Sequence, residues 1–267
     1  MDGIVAWSQI FKHKNTFSNY IGKLKAACEL MGVSSDALMH PSVERSKRAL
    51  DNRSVSKSSP KPAVRREQLG RLMKQAEVEA DLASAMLYCC AYAFLLRVPS
   101  EGLPLIRVSA DTAADTIWDN KPLIWCAGGE VLVKLPRRKN VNGCCILARS
   151  CWCAKDRCTC PVHRLGLWVD SLPVGALPFA HLKPEVVNSE LRRRASLGGF
   201  PQFEALSSKG FRRGHARDMV QFGARIGEIL AAGQWKSPAF LQYLDWQELE
   251  SAAVVEAVMA ESASEAE

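Results

Sequence analysis

Three features of this sequence predict a mainly α-helical chain with one small antiparallel β-sheet, an α+β fold. Helical spacing of apolar residues dominates both ends and the apolar run before residue 97. Only residues 117–147 switch to strand-like patterning. Beyond residue 186 the helices return, with Ser, Pro and Gly at their ends.

Taken in order, AWSQIF and FSNYIGKLKAACELMG place helices within residues 5–31, with Gly32 as a stop, and residues 41–50 suggest a further short helix. The segment DNRSVSKSSPKPAVRRE is rich in Ser, Lys and Pro and poor in apolar residues, the composition of a linker. Residues 68–97 read as two helices, the second apolar on nearly all sides and so destined for the core, with Pro99 as its end. GEVLVKL and CCILARS read as strands joined by the turn PRRKNVNG. In the last third, Ser207 and Ser208 offer N-caps to a helix through GFRRGHARDMVQF that closes at Gly223. ARIGEILAA closes at Gly233, and Ser237-Pro238 opens a third helix through AFLQYLDWQELE. The predicted organisation is a helical piece over residues 1–55, a basic linker over 56–67, a main domain over 68–250 and an acidic tail or docking helix over 251–267.

The 267 residues are 48% hydrophobic, ordinary for a globular chain, and carry a formal net charge of +7. That charge is uneven. Residues 247–267 hold six glutamates and no Lys or Arg, so without them the rest carries +13. A body so basic points to a polyanionic partner, nucleic acid first. The apolar run Ala83 to Leu96, bounded by Asp81 and Arg97, is too short for a membrane span, and the N-terminus has no signal-like apolar region. A membrane partner and secretion are therefore not expected. Ten cysteines, six of them between Cys144 and Cys160, argue for a local metal site or a buried cluster rather than a disulfide scaffold.

The string KGFRRGHARDMVQFGARIGEILAAGQWKSPAFLQYL resembles the C-terminal catalytic segment of the tyrosine recombinases, the family of Cre and the phage integrases. That family carries a His-or-Lys, x, x, Arg box, then a His or Trp, then a Tyr eight or nine residues later. Lys209 to Arg212 fits the box, Trp235 the second position, and Tyr243 follows eight residues on. Upstream, FLLRVPSEGLPL supplies the family's Arg and Glu as Arg97 and Glu101, one residue further apart than the commonest spacing. The hairpin lysine is Lys139, with Lys134 as the fallback. The wording of the motifs is closest to recombinases of eukaryotic mobile elements. The resemblance covers most of the chain and implies that residues 1–55 are the end of a core DNA-binding domain and 68–250 the catalytic domain.

The implied activity is site-specific cleavage and rejoining of double-stranded DNA through a 3′-phosphotyrosyl intermediate, by a homo-oligomer assembled on DNA. The implied compartment is the nucleus in a eukaryote and the cytoplasm otherwise. Tyr243 would attack the phosphate, and Arg97 and Arg212 would offer paired donors to the charge that builds on its oxygens. Lys139 would protonate the leaving oxygen, and Trp235 would donate its indole N–H. Lys209 stands where most members have His. A lysine ammonium is a poor base near neutral pH, so its role shifts to holding charge. No cofactor is required by such chemistry. The alternative is a decayed or domesticated descendant that binds DNA without cutting it.

RSCWCAKDRCTCPVHRLG adds a separate feature. Cys153, Cys158, Cys160 and His163 form one possible structural zinc set, with Cys151 as a further soft ligand; a reduced cysteine cluster is the other reading. A zinc-dependent interaction module centred on residues 151–163 is a second alternative function.

Overall fold

The computed structural model describes residues 2–11, 14–53, 61–138 and 143–235. The chain divides into two compact units, 1–60 and 61–267. In the first, α1 (Asp2–Ser8), α2 (Lys14–Leu30) and α3 (Pro41–Arg53) pack together. Phe17 and Ile21, one turn apart on α2, meet Val43 and Leu50 of α3 in a small buried core. Trp7 and Phe11 close it, with Trp7 edge-on to Phe17 at a centroid distance of 5.4 Å.

The second unit is built around α5 (Leu82–Ala93), in which every residue from Ser84 onward is buried. A helix apolar on all sides is stable only when surrounded, and α4 (Arg66–Val78) and α8 (Lys209–Gln221) lie against it. Asp81 caps α5 by accepting from the Ser84 backbone N–H at 3.1 Å. α7 (Pro184–Leu197) is pinned to the α4–α5 corner by buried Arg194. Its guanidinium donates to Glu79 at 2.8 Å, Asp81 at 2.6 Å and the Tyr88 hydroxyl at 2.9 Å. The short α6 (Leu167–Asp170) and α9 (Ile226–Gly233) complete the α-helices among the described residues. None of these helices is long and apolar enough to cross a membrane.

The mainly helical α+β class is as expected, but the sheet is mixed rather than antiparallel. β2 (Leu123–Ala127), β3 (Glu130–Leu135) and β4 (Cys145–Arg149) form antiparallel pairs, whereas β1 (Ile106–Arg107) runs parallel to β2. Residues 108–122 between β1 and β2 are long enough for the crossover that parallel pairing requires. The sheet buries one face fully and the other in part. Ile124, Val131, Val133, Leu135 and Leu147 join the main core, while Leu123 and Trp125 pack with Val108 on the other side.

Two boundaries differ from expectation. α5 ends at Ala93, well before Pro99, because Leu95 takes a positive φ of 50° and turns the chain. Residues 61–67, read as part of the linker, belong to the second unit. Val64 is fully buried and its N–H donates to the Gly210 carbonyl oxygen of α8 at 3.0 Å. Arg65 reaches Asp218 at 2.7 Å, and the Arg66 guanidinium lies over the rings of Trp152 and Phe222. These two cations are occupied within the fold.

Candidate functional site

Arg97 stands just beyond α5, at the entrance of a π-helical turn over Val98–Gly102. The turn widens the helical repeat between Arg97 and Glu101. Glu101 is 3% exposed. One of its oxygens accepts from the Arg97 guanidinium at 2.7 Å; the other accepts from the Arg97 backbone N–H at 2.8 Å. The Arg97 side chain remains 34% exposed, so its free donors can reach a ligand from solvent.

A third cation meets the same carboxylate. Arg138, 4% exposed, donates to Glu101 at 3.3 Å and to the carbonyl oxygens of Phe94 and Leu95 at 3.4 and 3.0 Å. It also reaches the Gly233 carbonyl and the Gln234 side-chain oxygen, each at 3.4 Å. One side chain thus ties the end of β3 to the Arg97 turn and to the end of α9. In sequence, an arginine within PRRKN looks like one more solvated hairpin charge. The alternation of buried residues that marks β3 ends at Leu135, so no periodic signal identifies it.

On α8, Arg212 is 2% exposed and its guanidinium lies 5.3 Å from the Trp235 ring centre. Trp235 is buried with Leu95, Ala216, Val220 and Ile229. This cluster packs the approach to Arg97, the helix of Arg212 and the residue after Gln234 against one another. α9 ends at Gly233 as expected, but not for the expected reason. The left-handed residue is Gln234 (φ 50°), and Gly233 serves close packing instead, since a Cβ there would fall 2.2 Å from the Trp235 ring. Nor does Ser208 cap α8 with its side chain; its N–H donates to Asn188 at 2.8 Å.

The structure therefore links Arg97, Glu101, Arg212 and Trp235, and adds Arg138. Lys209 is exposed on the first turn of α8. Lys134 lies on the sheet face turned from the main core, paired with Leu123 and Ile146. Lys139, Tyr243, the helix expected after Pro238 and the tail or docking helix expected over 251–267 lie outside the described residues.

α8 is held by a buried polar network. Asp218 accepts from the Tyr92 hydroxyl at 2.5 Å and from the Arg66 backbone N–H at 2.8 Å, which satisfies an orphan donor at the start of α4. Burial raises the Asp218 carboxyl above its usual range, against the pull of Tyr92 and Arg65. His215, also on α8, is buried. Its Nδ1 lies 2.6 Å from the Tyr92 carbonyl oxygen and its ring stacks on Tyr92 at 4.7 Å. Burial is the largest cause that depresses its pKa, to about 3.

The cysteine segment gathers Cys151, Cys153, Cys160 and His163, whose ligand atoms all lie within 4.8 Å of one another. Cys158, counted among the ligands from sequence, is exposed and outside this group, and Cys151 takes its place.

No protein-family model and no curated protein matches the sequence. Among solved structures, the chain is similar to the XerH site-specific recombinase bound to its difH substrate in a pre-cleavage complex. The TM-score is 0.47 and the identity 12%, over 90% of this chain and 70% of that chain.

Proposed function

We propose that this chain is a site-specific DNA recombinase of the tyrosine type, which cleaves and rejoins double-stranded DNA as a homo-oligomer through a 3′-phosphotyrosyl intermediate. The observation that carries this reading is the contact chain from Arg97 through Glu101, Arg138 and Gln234 to Trp235 and Arg212. It joins motifs more than a hundred residues apart in sequence, in the order the resemblance requires. Unit 1–60 then contributes the end of a helical DNA clamp.

The roles follow from charge. A phosphodiester under attack gathers negative charge on its non-bridging oxygens. Arg97 and Arg212 supply planar, permanently charged donors to meet it. Glu101 and Arg138 orient Arg97 rather than touch DNA. Lys139, next to Arg138, acts as general acid toward the leaving oxygen, and Lys209 adds positive charge from the start of α8. Trp235 braces Arg212 and donates from its indole. Tyr243 is the nucleophile, eight residues after Trp235. Tyrosyl linkage conserves the phosphodiester bond energy, so the chemistry calls for no cofactor.

The test is covalent trapping on a nicked suicide duplex from the element's own termini. Wild-type protein forms an adduct, Tyr243→Phe forms none, and Arg212→Ala reduces it by orders of magnitude. Tyr20→Phe, Tyr88→Phe and Tyr92→Phe retain it. An adduct that survives Tyr243→Phe refutes the nucleophile. Failure of wild-type protein to form one on DNA that it binds favours the alternative, a descendant that binds DNA without cutting it.

A further inference from the structure

The segment after β4 carries a feature that strand transfer does not use. His163 Nδ1 lies 3.4 Å from Cys151 Sγ, 3.1 Å from Cys153 Sγ and 3.5 Å from Cys160 Sγ, and the Cys151 and Cys160 sulfurs are 3.7 Å apart. Hydrogen bonding does not account for this arrangement. An imidazole nitrogen has one lone pair and can serve one thiol, yet three sulfurs converge on it.

A tetrahedral ion accounts for all four atoms. With Zn–S of about 2.3 Å and Zn–N of about 2.05 Å, tetrahedral angles set S···S edges of about 3.8 Å and S···N edges of about 3.5 Å. Four of the six separations, at 3.7 Å and 3.1–3.5 Å, fall at or just inside those edges, and all four atoms lie within 4.8 Å of one another.

The local chain explains why these four residues meet. Asp156 accepts from the Cys158 backbone N–H at 2.8 Å and from the Thr159 hydroxyl at 2.5 Å, which shapes the bend before Cys160. Cys158 is left exposed while Cys160 is fully buried. Pro161 opens a π-helical turn, Pro161–Gly166, that carries His163 back over Cys160. The Cys153 N–H points at the Cys151 sulfur at 3.4 Å.

We propose that Cys151, Cys153, Cys160 and His163 bind one zinc ion as a structural site. Three thiolates and one imidazole fill a four-coordinate shell and leave no open position, so the ion braces the fold and performs no chemistry on a substrate. The brace acts on Trp152, which lies between two of the ligands. Its ring meets His215 of α8 edge-on at 6.2 Å and lies under the Arg66 guanidinium at 5.2 Å. The zinc loop therefore supports α8 one turn beyond Arg212.

Elemental analysis of the purified, reduced full chain tests the site. About one equivalent of zinc is expected, and replacement by cobalt gives the intense visible ligand-field bands of tetrahedral thiolate coordination. Cys151→Ser, a change at an exposed position, loses the metal, whereas Cys158→Ser retains it. The cobalt spectrum on wild-type protein keeps the test independent of whether any variant folds. Folded, reduced protein that takes up neither metal overturns the proposal. Loss of metal from Cys158→Ser with retention in Cys151→Ser overturns the ligand set.

Discussion

His215 makes the stability of the second unit depend on pH in a calculable way. The buried imidazole is neutral and donates its Nδ1–H to the Tyr92 carbonyl oxygen at 2.6 Å. Burial, with the charges of Arg149 and Arg66 nearby, holds its pKa at about 3, while the unfolded chain has an ordinary value of about 6.5. Below pH 6.5 the unfolded state binds a proton that the folded state refuses. The contribution of His215 is therefore complete above pH 6.5 and is lost progressively as pH falls from 6.5 toward 3. At one proton the slope approaches about 1.4 kcal/mol per pH unit, which amounts to about 2 kcal/mol lost between pH 8 and pH 5. His215→Asn keeps a donor toward Tyr92 without a titrating group. Urea denaturation followed by tryptophan fluorescence reports the relevant unit, since six of the seven tryptophans lie beyond residue 60. The variant is less stable at pH 8, but between pH 8 and pH 5 it should lose about 2 kcal/mol less than the wild type. Carboxylates such as Asp218 and Glu79 are common to both proteins and cancel in the difference. Parallel pH curves for the two proteins would refute the claim that the fold keeps His215 neutral.

Other outcomes follow from single contacts. Arg138→Met keeps bulk but leaves Glu101 and four backbone or amide oxygens without their buried donor. It should cost about 3–5 kcal/mol in urea denaturation, and a loss under about 1 kcal/mol would show that Arg138 ties nothing together. Gly214→Ala places a Cβ 1.6 Å from the Val64 carbonyl oxygen, so backbone must move and about 3 kcal/mol or more should be lost. Gly227→Ala, with open space around it on α9, should be neutral or stabilising by up to about 1 kcal/mol, and equal effects at the two sites would contradict the packing. DNA binding measured by anisotropy should weaken steeply as salt rises, because each phosphate contact releases counterions; a flat response would remove nucleic acid as the partner.

Local features were legible in the residues themselves. The apolar stretch around Tyr88 and Tyr92 has no polar face, so its place at the centre followed from composition. Gly32 and Gly223 mark helix ends because a positive φ (65° and 75°) is a local demand that glycine meets without strain. β3 and β4 were read from period-two alternation. The hairpin from β2 into β3 turns on Gly128-Gly129, a two-glycine signal available in the sequence but passed over.

What the sequence by itself determined was most of the longer helices, the strands β3 and β4, the excess of positive charge and the ordered boxes that suggest DNA chemistry. These depend on neighbours within a few residues, or on simple counting. What only the tertiary structure decided depends on partners far along the chain. Gly233 looked like a helix stop, but the requirement for glycine there comes from the Trp235 ring. Cys151 rather than Cys158 joins the cluster because the Asp156 bend leaves Cys158 exposed, a choice that ligand spacing does not encode. The parallel pairing of β1 depends on how the crossover over residues 108–122 returns the chain. Arg138 is the clearest case. In sequence it is one cation in a basic turn, and its role arises because Glu101 and the carbonyl oxygens of Phe94, Leu95 and Gly233, distant from it along the chain, all face one buried point that a guanidinium can satisfy with its several donors.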